Sequence, residues 1–304
     1  MSRRSREEPE AGFVLVAVLI VLVVVASAAA GVAQLVQRRT AATAGRARIV
    51  AFQGMADGAV RLAAYGLLTE RVRRLPGFGL PVDGTPVGCS LGGGARLDIA
   101  VQDQAGLIDL NGAAPLLLED AFRALGVPDG DARAIAAEIL ARRETGAPAA
   151  ASAAAPARPG SAGIQTQPAA LRRAAFSSVA EIDGLRSLSD ANAAILRPAL
   201  TVYNSDGRLD AEAAPFRAAL ATTRGEALRP FLGPAAGRAF AVTAILSDGT
   251  GARAGRSAIL SLDGRLAGTG LVRWSAATAL SGSPVPHAAC AAFRAALEDG
   301  TGSS

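Results

Sequence analysis

The sequence predicts an α+β protein: a long N-terminal helix packed on a small antiparallel sheet, with a large all-α block inserted between the strands. Three observations predict it. The 304-residue chain has no proline between Pro9 and Pro76, and apolar residues recur there at helical steps. Strand-type alternation occurs at residues 95–103 and again over residues 238–276. Between these strands lies a block of over a hundred residues whose caps and apolar spacing are helical.

The first element is apolar. No charged side chain falls between Glu10 and Arg38, and residues 13–25 are almost entirely Val, Leu and Ile. About 20 such residues at a rise of 1.5 Å cross a hydrocarbon layer of roughly 30 Å. A membrane span is therefore expected, with Val14, Leu15, Ala17, Leu19 and Leu22 among its residues. The small residues of "ASAAAGVAQ" also fit a signal-peptidase site, so a discarded secretory signal is the alternative. The next segment favours retention: Ile49, Phe52, Ala56, Ala59, Ala63 and Leu67 continue as one helical stripe, which a disposable signal would not. Arg3, Arg4 and Arg6 precede the span and Arg38, Arg39, Arg46 and Arg48 come after it, so charge alone leaves its orientation open.

After the helix, residues 73–94 are rich in Pro and Gly and read as a loop. "ARLDIAVQD" alternates as a half-buried strand, and "LIDLN" reads as a second strand paired with the first. "APLLLEDAFRALG", entered through Pro115 and stopped by Gly126, and "PDGDARAIAAEILARRE", with Asp129 or Asp131 as N-cap, read as helices. Residues 145–170 are low-complexity Ala, Pro, Gly and Ser with too few large apolar residues to bury. "SSVAEIDGLRSL", "SDANAAILRPAL" and "DAEAAPFRAALA" read as short helices. "RAFAVTAIL", "ARAGRSAILSL" and "GTGLVRWSA" are strands separated by hairpin-type turns, and a final helix is expected at residues 288–297.

Composition excludes more than it assigns. All 31 basic residues are Arg, and the net charge of +5 comes without a dense basic run or an aromatic platform, so no nucleic-acid partner is expected. There is no Ser-His-Asp set, zinc motif or phosphate loop, and "SLGGGARL" precedes a strand rather than opening a helix, so no enzyme is expected. The lone His287 has no ligand-spaced neighbours. Cys89 and Cys290 are a candidate disulfide if the folded part lies outside the cytoplasm, though one sequence leaves their pairing open.

Four segments resemble the K-type minor pseudopilins (the GspK family) of the bacterial type II secretion system. Gly12-Phe13 opens the span as a prepilin peptidase site does. "VQDQAGLIDLN" is similar to the family's Asp-x-x-Gly-x-(Ile/Leu)-x-Leu-Asn segment and is followed by two helices ending in "ARRE". "FSSVAEIDGLRSLSDANAAILRPALTVY" resembles the family's Phe-x-Ser-x-x-Glu-Leu helices and the segment after them, and "GRAFAVTA" with "GARAGRSAILSLDG" its C-terminal strands. The resemblance covers most of the chain from Gly12 to Ala276 and lies in the order and spacing of the motifs.

What the resemblance implies is a pilin-like fold with a SAM-like helical insertion, organised as a leader (1–12), a transmembrane and assembly helix (13–75), a sheet (76–112 with 236–276), an insertion (113–235) and a tail (277–304). It implies cleavage after Gly12 by prepilin peptidase and methylation of Phe13. It also implies a single pass through the bacterial inner membrane, a periplasmic soluble part, and a place at the tip of a pseudopilus that drives protein export across the outer membrane. The implied partners are the I- and J-type minor pseudopilins, the major pseudopilin and the inner-membrane assembly platform. Ala17 stands where ordinary pilins carry Glu, as in the K-type proteins. Some relatives bind calcium in the loop after "ARRE", but calcium takes about six to eight oxygens and this loop has almost no carboxylates, so no cofactor is expected. Two alternatives stand beside this reading: a minor pilin of a type IV pilus or uptake machine, and a membrane-anchored DNA receptor with helix-hairpin-helix modules. The second would need glycines where the chain has "LRSLS".

Overall fold

A computed structural model of the chain describes residues 11–146, 176–204, 207–222, 225–234, 238–262, 270–277 and 279–299; for residues 11–17 and some others in helices it describes the backbone alone. The chain divides into two compact units, Met1–Phe52 and Gln53–Ser304, and the division falls within the first helix.

That helix, α1, runs over Ala11–Arg71. In the first unit its described side chains from Val18 to Val25 are all more than half exposed, Leu19 and Leu22 included. Gly12, Phe13, Val14, Leu15 and Ala17 lie on its backbone, but their side chains fall outside the described residues, as do residues 1–10 of the proposed leader. Among the described residues no helix is long and apolar enough to cross a membrane. In the second unit the small residues Ala56, Ala59 and Ala63, with Leu67, are fully buried; Ile49, counted in the same stripe from sequence but lying in the first unit, is exposed. The helix stops where Arg74 turns left-handed at a φ of 57° and the Leu75 N–H bonds back to the Thr69 carbonyl at 3.1 Å, and Glu70 accepts a hydrogen bond from the N–H of Gly79 at 2.6 Å.

The sheet is five-stranded and antiparallel: β1 (Val87–Ser90), β2 (Arg96–Asp103), β5 (Ala239–Ser247), β6 (Arg253–Ser261) and β7 (Gly270–Ala276) lie side by side in that order. Strand β2 pairs with β5 from Arg96↔Ser247 to Asp103↔Phe240, although the whole helical block separates them in sequence. Alternation puts Phe240, Val242, Ala244 and Leu246 on one face, all fully buried. Contacts identify this as the α1 face. The Arg71 guanidinium lies 5.7 Å from the Phe240 ring centroid, Arg61 lies at the same distance from Trp274, and Arg256 Nε is 2.9 Å from Asp57 Oδ1.

The opposite parity, Thr243, Ser257, Ile259, Arg273 and Ser275, faces away from α1. The elements between β2 and β5 are β3 (Ile108–Asp109), α2 (Pro115–Ala124), α3 (Asp129–Gly146), α4 (Asp190–Leu196), β4 (Leu200–Thr201) and α5 (Arg217–Leu220), with 3-10 turns at Val179–Gly184, Arg197–Ala199 and Gly225–Phe231. They share a core built on Leu118, Phe122, Ile135, Ile139 and Phe176.

Three sequence expectations need correction. "LIDLN" does not pair with β2: its strand β3 pairs in parallel with β4 in a separate two-stranded ribbon. The cause is local, because Asp103 caps a 3-10 turn at Gln104–Gly106 that carries the chain off the sheet. The expected loop at 73–94 contains β1, whose Val87 and Cys89 are buried. "DAEAAPFRAALA" is helical only over α5, since Pro215 precedes it and Phe216 is not helical. The tail ends in α6 (Cys290–Asp299), where Phe293 packs on Phe78 with ring centroids 5.3 Å apart.

Candidate functional site

The segments singled out in the sequence converge where the helical lobe leaves and rejoins the sheet. Asp109, at the end of β3, folds back as a cap: its Oδ1 accepts from the N–H groups of Asn111 at 2.7 Å and Gly112 at 2.6 Å. Its Oδ2 accepts from the backbone of Asn204 at 2.9 Å. Burial pushes its carboxyl above the ordinary range, and the three N–H donors, with Arg143 nearby, oppose the shift. Asn204 in turn donates its amide to the carbonyls of Leu107 at 3.0 Å and Arg208 at 2.8 Å, with a longer contact to Ala105. Thr201 donates to Gln104 Oε1 at 2.7 Å, so the buried side chains of this seam are matched donor to acceptor.

The "ARRE" end of α3 supplies two cations with different tasks. Arg143 Nε and Nη1 each donate at 2.7 Å, to the carbonyls of Leu110 and Ala113, tying α3 to the turn that enters α2. Its half-burial lowers its pKa, and Asp109 works against that. Arg142 instead stacks over Phe176 at 4.8 Å and pairs with Glu181 at 2.7 Å. Ser178 and Glu181 form a capping box, and the hydroxyl and N–H of Ser177, with Arg142, hold Glu181 below the ordinary carboxylate range. Asn111 bonds both backbone groups of Phe176, its amide nitrogen to the carbonyl and its oxygen from the N–H.

Beside this seam, between lobe and sheet, is a cleft of about 310 Å³. Its lobe wall is Ser178, Val179, Val202 and Tyr203, and its floor includes Ser257 and Ile259 of β6. Arg273 of β7 crosses it, its Nη1 3.1 Å from both the Tyr203 hydroxyl and the Ser177 carbonyl.

Cys89 and Cys290 form a disulfide with Cα atoms 5.1 Å apart, which ties the tail to edge strand β1. His287 accepts from the N–H of Ala289 through Nδ1 at 3.1 Å, a turn cap at the entry to α6. Among the described residues no group of three or more His, Cys, Asp and Glu side chains gathers around a metal position; the acid-poor segment 145–170 lies outside the described residues from residue 147 on.

Sequence reasoning placed its site residues in the opening helix and in the Cys89–Cys290 pair, and missed the seam. The seam's signal was present in the quoted motifs: Asp103, Gly106 and Asp109 lie in "VQDQAGLIDLN", Arg142 and Arg143 in "ARRE", and Thr201 and Tyr203 in "LTVY". No family model matches the sequence, and no curated protein matches it. Among solved structures, a chain of the GspK-GspI-GspJ complex from the enterotoxigenic Escherichia coli type 2 secretion system is similar over 79% of this chain and 100% of its own, at 11% identity and a TM-score of 0.48.

Proposed function

We propose that the chain is a minor pseudopilin of a type II secretion system, a structural subunit of K-type at the tip of the periplasmic pseudopilus. The observation that carries this reading is the two-part character of α1. Its exposed Val18–Val25 stretch suits a lipid or helix-packing environment, while its buried Ala56, Ala59, Ala63 and Leu67 seat an antiparallel sheet. The insertion of a helical lobe between β2 and β5 supports the K-type reading, as does the order of the motifs.

In this reading prepilin peptidase cuts after Gly12, and Phe13 becomes the methylated first residue of an inner-membrane helix. Ala17 offers no carboxylate to the N-terminal amine of a neighbouring subunit. A buried intramembrane carboxylate is costly unless paired, so a subunit without one suits the position with no subunit ahead of it. The Cys89–Cys290 disulfide supports an oxidising compartment such as the periplasm. Partners in this role are the I- and J-type minor pseudopilins, the major pseudopilin and the assembly platform, contacted through apolar helix faces.

The test is processing. In cells containing prepilin peptidase, Gly12→Trp leaves only precursor, whereas the parent chain is shortened and copurifies with the I- and J-type subunits. Mature-sized protein from Gly12→Trp would sink the proposal.

A further inference from the structure

The cleft between lobe and sheet has the features of a binding site. Arg273 is the one charged residue among those lining it. Its Nη1 is engaged by Tyr203 and Ser177, while its Nε and Nη2 have no partner among the described residues. A guanidinium presents its donors in a planar fork that matches a carboxylate. Hydroxyls of Ser275 and Tyr203 stand beside it, and Val179, Val202 and Ile259 supply apolar wall. No carboxylate lines the cleft, and Glu181, which holds the Ser177–Ser178 backbone at its edge, is paired with Arg142. A volume of about 310 Å³ lies at the small end of ligand pockets, which span roughly 300–1,000 Å³ and favour domain junctions. It suits a residue or two of peptide rather than a folded surface.

We infer that this cleft binds a peptide carboxylate carried on a short apolar stem, with the free edge of the Arg273 fork as its anchor. The carboxylate accepts from Nε and Nη2, and the apolar stem lies against Val179, Val202 and Ile259. The same chemistry is presented by a free peptide C-terminus and by an internal Glu or Asp side chain. The inference does not depend on the assembly role proposed above, because it concerns only the second compact unit.

The test uses the full chain in detergent micelles, titrated by calorimetry with three peptides at up to roughly millimolar concentration. These are acetyl-Ala-Val-Leu with a free C-terminus, the same peptide as its C-terminal amide, and acetyl-Ala-Glu-Ala-Leu amide. Binding of the free acid but not its amide supports the site, and equal binding of the glutamate peptide assigns the anchor to side chains as well. Arg273→Gln then weakens the carboxylate peptide by roughly tenfold or more, the scale of a lost charge-assisted pair. Arg273→Lys keeps the charge but loses the fork, and falls between. Ser275→Leu fills the cleft while leaving the contacts to Tyr203 and Ser177 in place, so it decides the matter if Arg273→Gln fails to fold. Equal binding of acid and amide, no binding of any carboxylate peptide, or undiminished binding by a folded Ser275→Leu variant would overturn the assignment.

Discussion

Asn204 donates its backbone N–H to Asp109 Oδ2 at 2.9 Å, joining two points 95 residues apart in sequence. One residue beyond the segment "LTVY" is thereby locked to the last residue of β3. The pairing fixes where the lobe closes, because Asn204 also shares its two amide hydrogens among the carbonyls of Ala105, Leu107 and Arg208.

Asn204→Ala removes the donor to the Leu107 and Arg208 carbonyls in a site that is 6% exposed, while the Ala105 carbonyl keeps the Asp210 N–H at 2.9 Å. An unmet buried polar group costs about 1–3 kcal/mol, so a loss of roughly 2–4 kcal/mol is expected in denaturant unfolding. Asn204→Asp fares worse at neutral pH, since an ionised carboxylate then faces carbonyl oxygens. Burial and those carbonyls raise its folded pKa, so its deficit shrinks as pH falls and its one O–H becomes available. A variant as stable as the parent chain would remove the seam from the energetics.

Asp103 predicts a pH dependence. It is 4% exposed, and burial pushes its carboxyl up to about 6, against the bond from Ala105 and the nearby charge of Arg71, with Asp210 adding to the rise. A folded pKa above the unfolded value of about 3.9 means that the contribution is fully present below about pH 4 and lost as pH rises through about 6. The loss is on the order of 2–3 kcal/mol. Asp103→Asn keeps an oxygen for the Ala105 N–H and removes the charge. Its melting temperature at pH 7.5 should therefore exceed that of the parent chain, with the difference vanishing near pH 4; an unchanged pH profile would refute the assignment.

Much of this architecture was legible in the sequence for physical reasons, and the rest was not. Strands β2, β5, β6 and β7 alternate because one face meets α1, and α2 and α3 carry apolar stripes because they bury one side in the lobe core. β1 was hidden because Gly88 and the neighbouring prolines and glycines read as loop, and its burial comes from the returning tail, a contact no local window contains. β3 was visible as a strand, but its partner was not, since Ile108 meets Leu200 across the whole block. The cleft was illegible for the same reason: Arg273 and Tyr203 are 70 residues apart and meet only through the fold.

The Cys89–Cys290 disulfide closes a sequence separation of 201 residues. Chain-entropy arguments give about 5 kcal/mol for a loop of this size, by restricting the unfolded chain. The Cys89→Ser/Cys290→Ser double variant should lose that amount, and reductant should bring the parent chain to the same stability. Hydrogen exchange should rise first in α6 and β1, where the Phe78–Phe293 contact remains to hold the tail. Unchanged exchange in α6 after reduction would show that packing alone retains it.

Gly106 closes the 3-10 turn that carries the chain from the sheet into the lobe. A Cβ there would lie 2.2 Å from the Ala213 carbonyl oxygen, 2.3 Å from its carbon and 2.7 Å from the Ala214 nitrogen. These are backbone atoms, and the Ala213 oxygen is already held by Gln102 Nε2 at 2.9 Å, so no flexible side chain can yield. Gly106→Ala must therefore push the 213–214 segment off the sheet, and overpacking of this kind costs about 1–3 kcal/mol or more. Gly130 provides the control, because it lies in α3 and a Cβ added there would meet nothing within 4 Å. Gly130→Ala should be neutral or stabilising by up to about 1 kcal/mol through helix propensity. Paired urea melts of the two variants decide the matter: equal midpoints would mean that the lobe and sheet do not press together at Gly106.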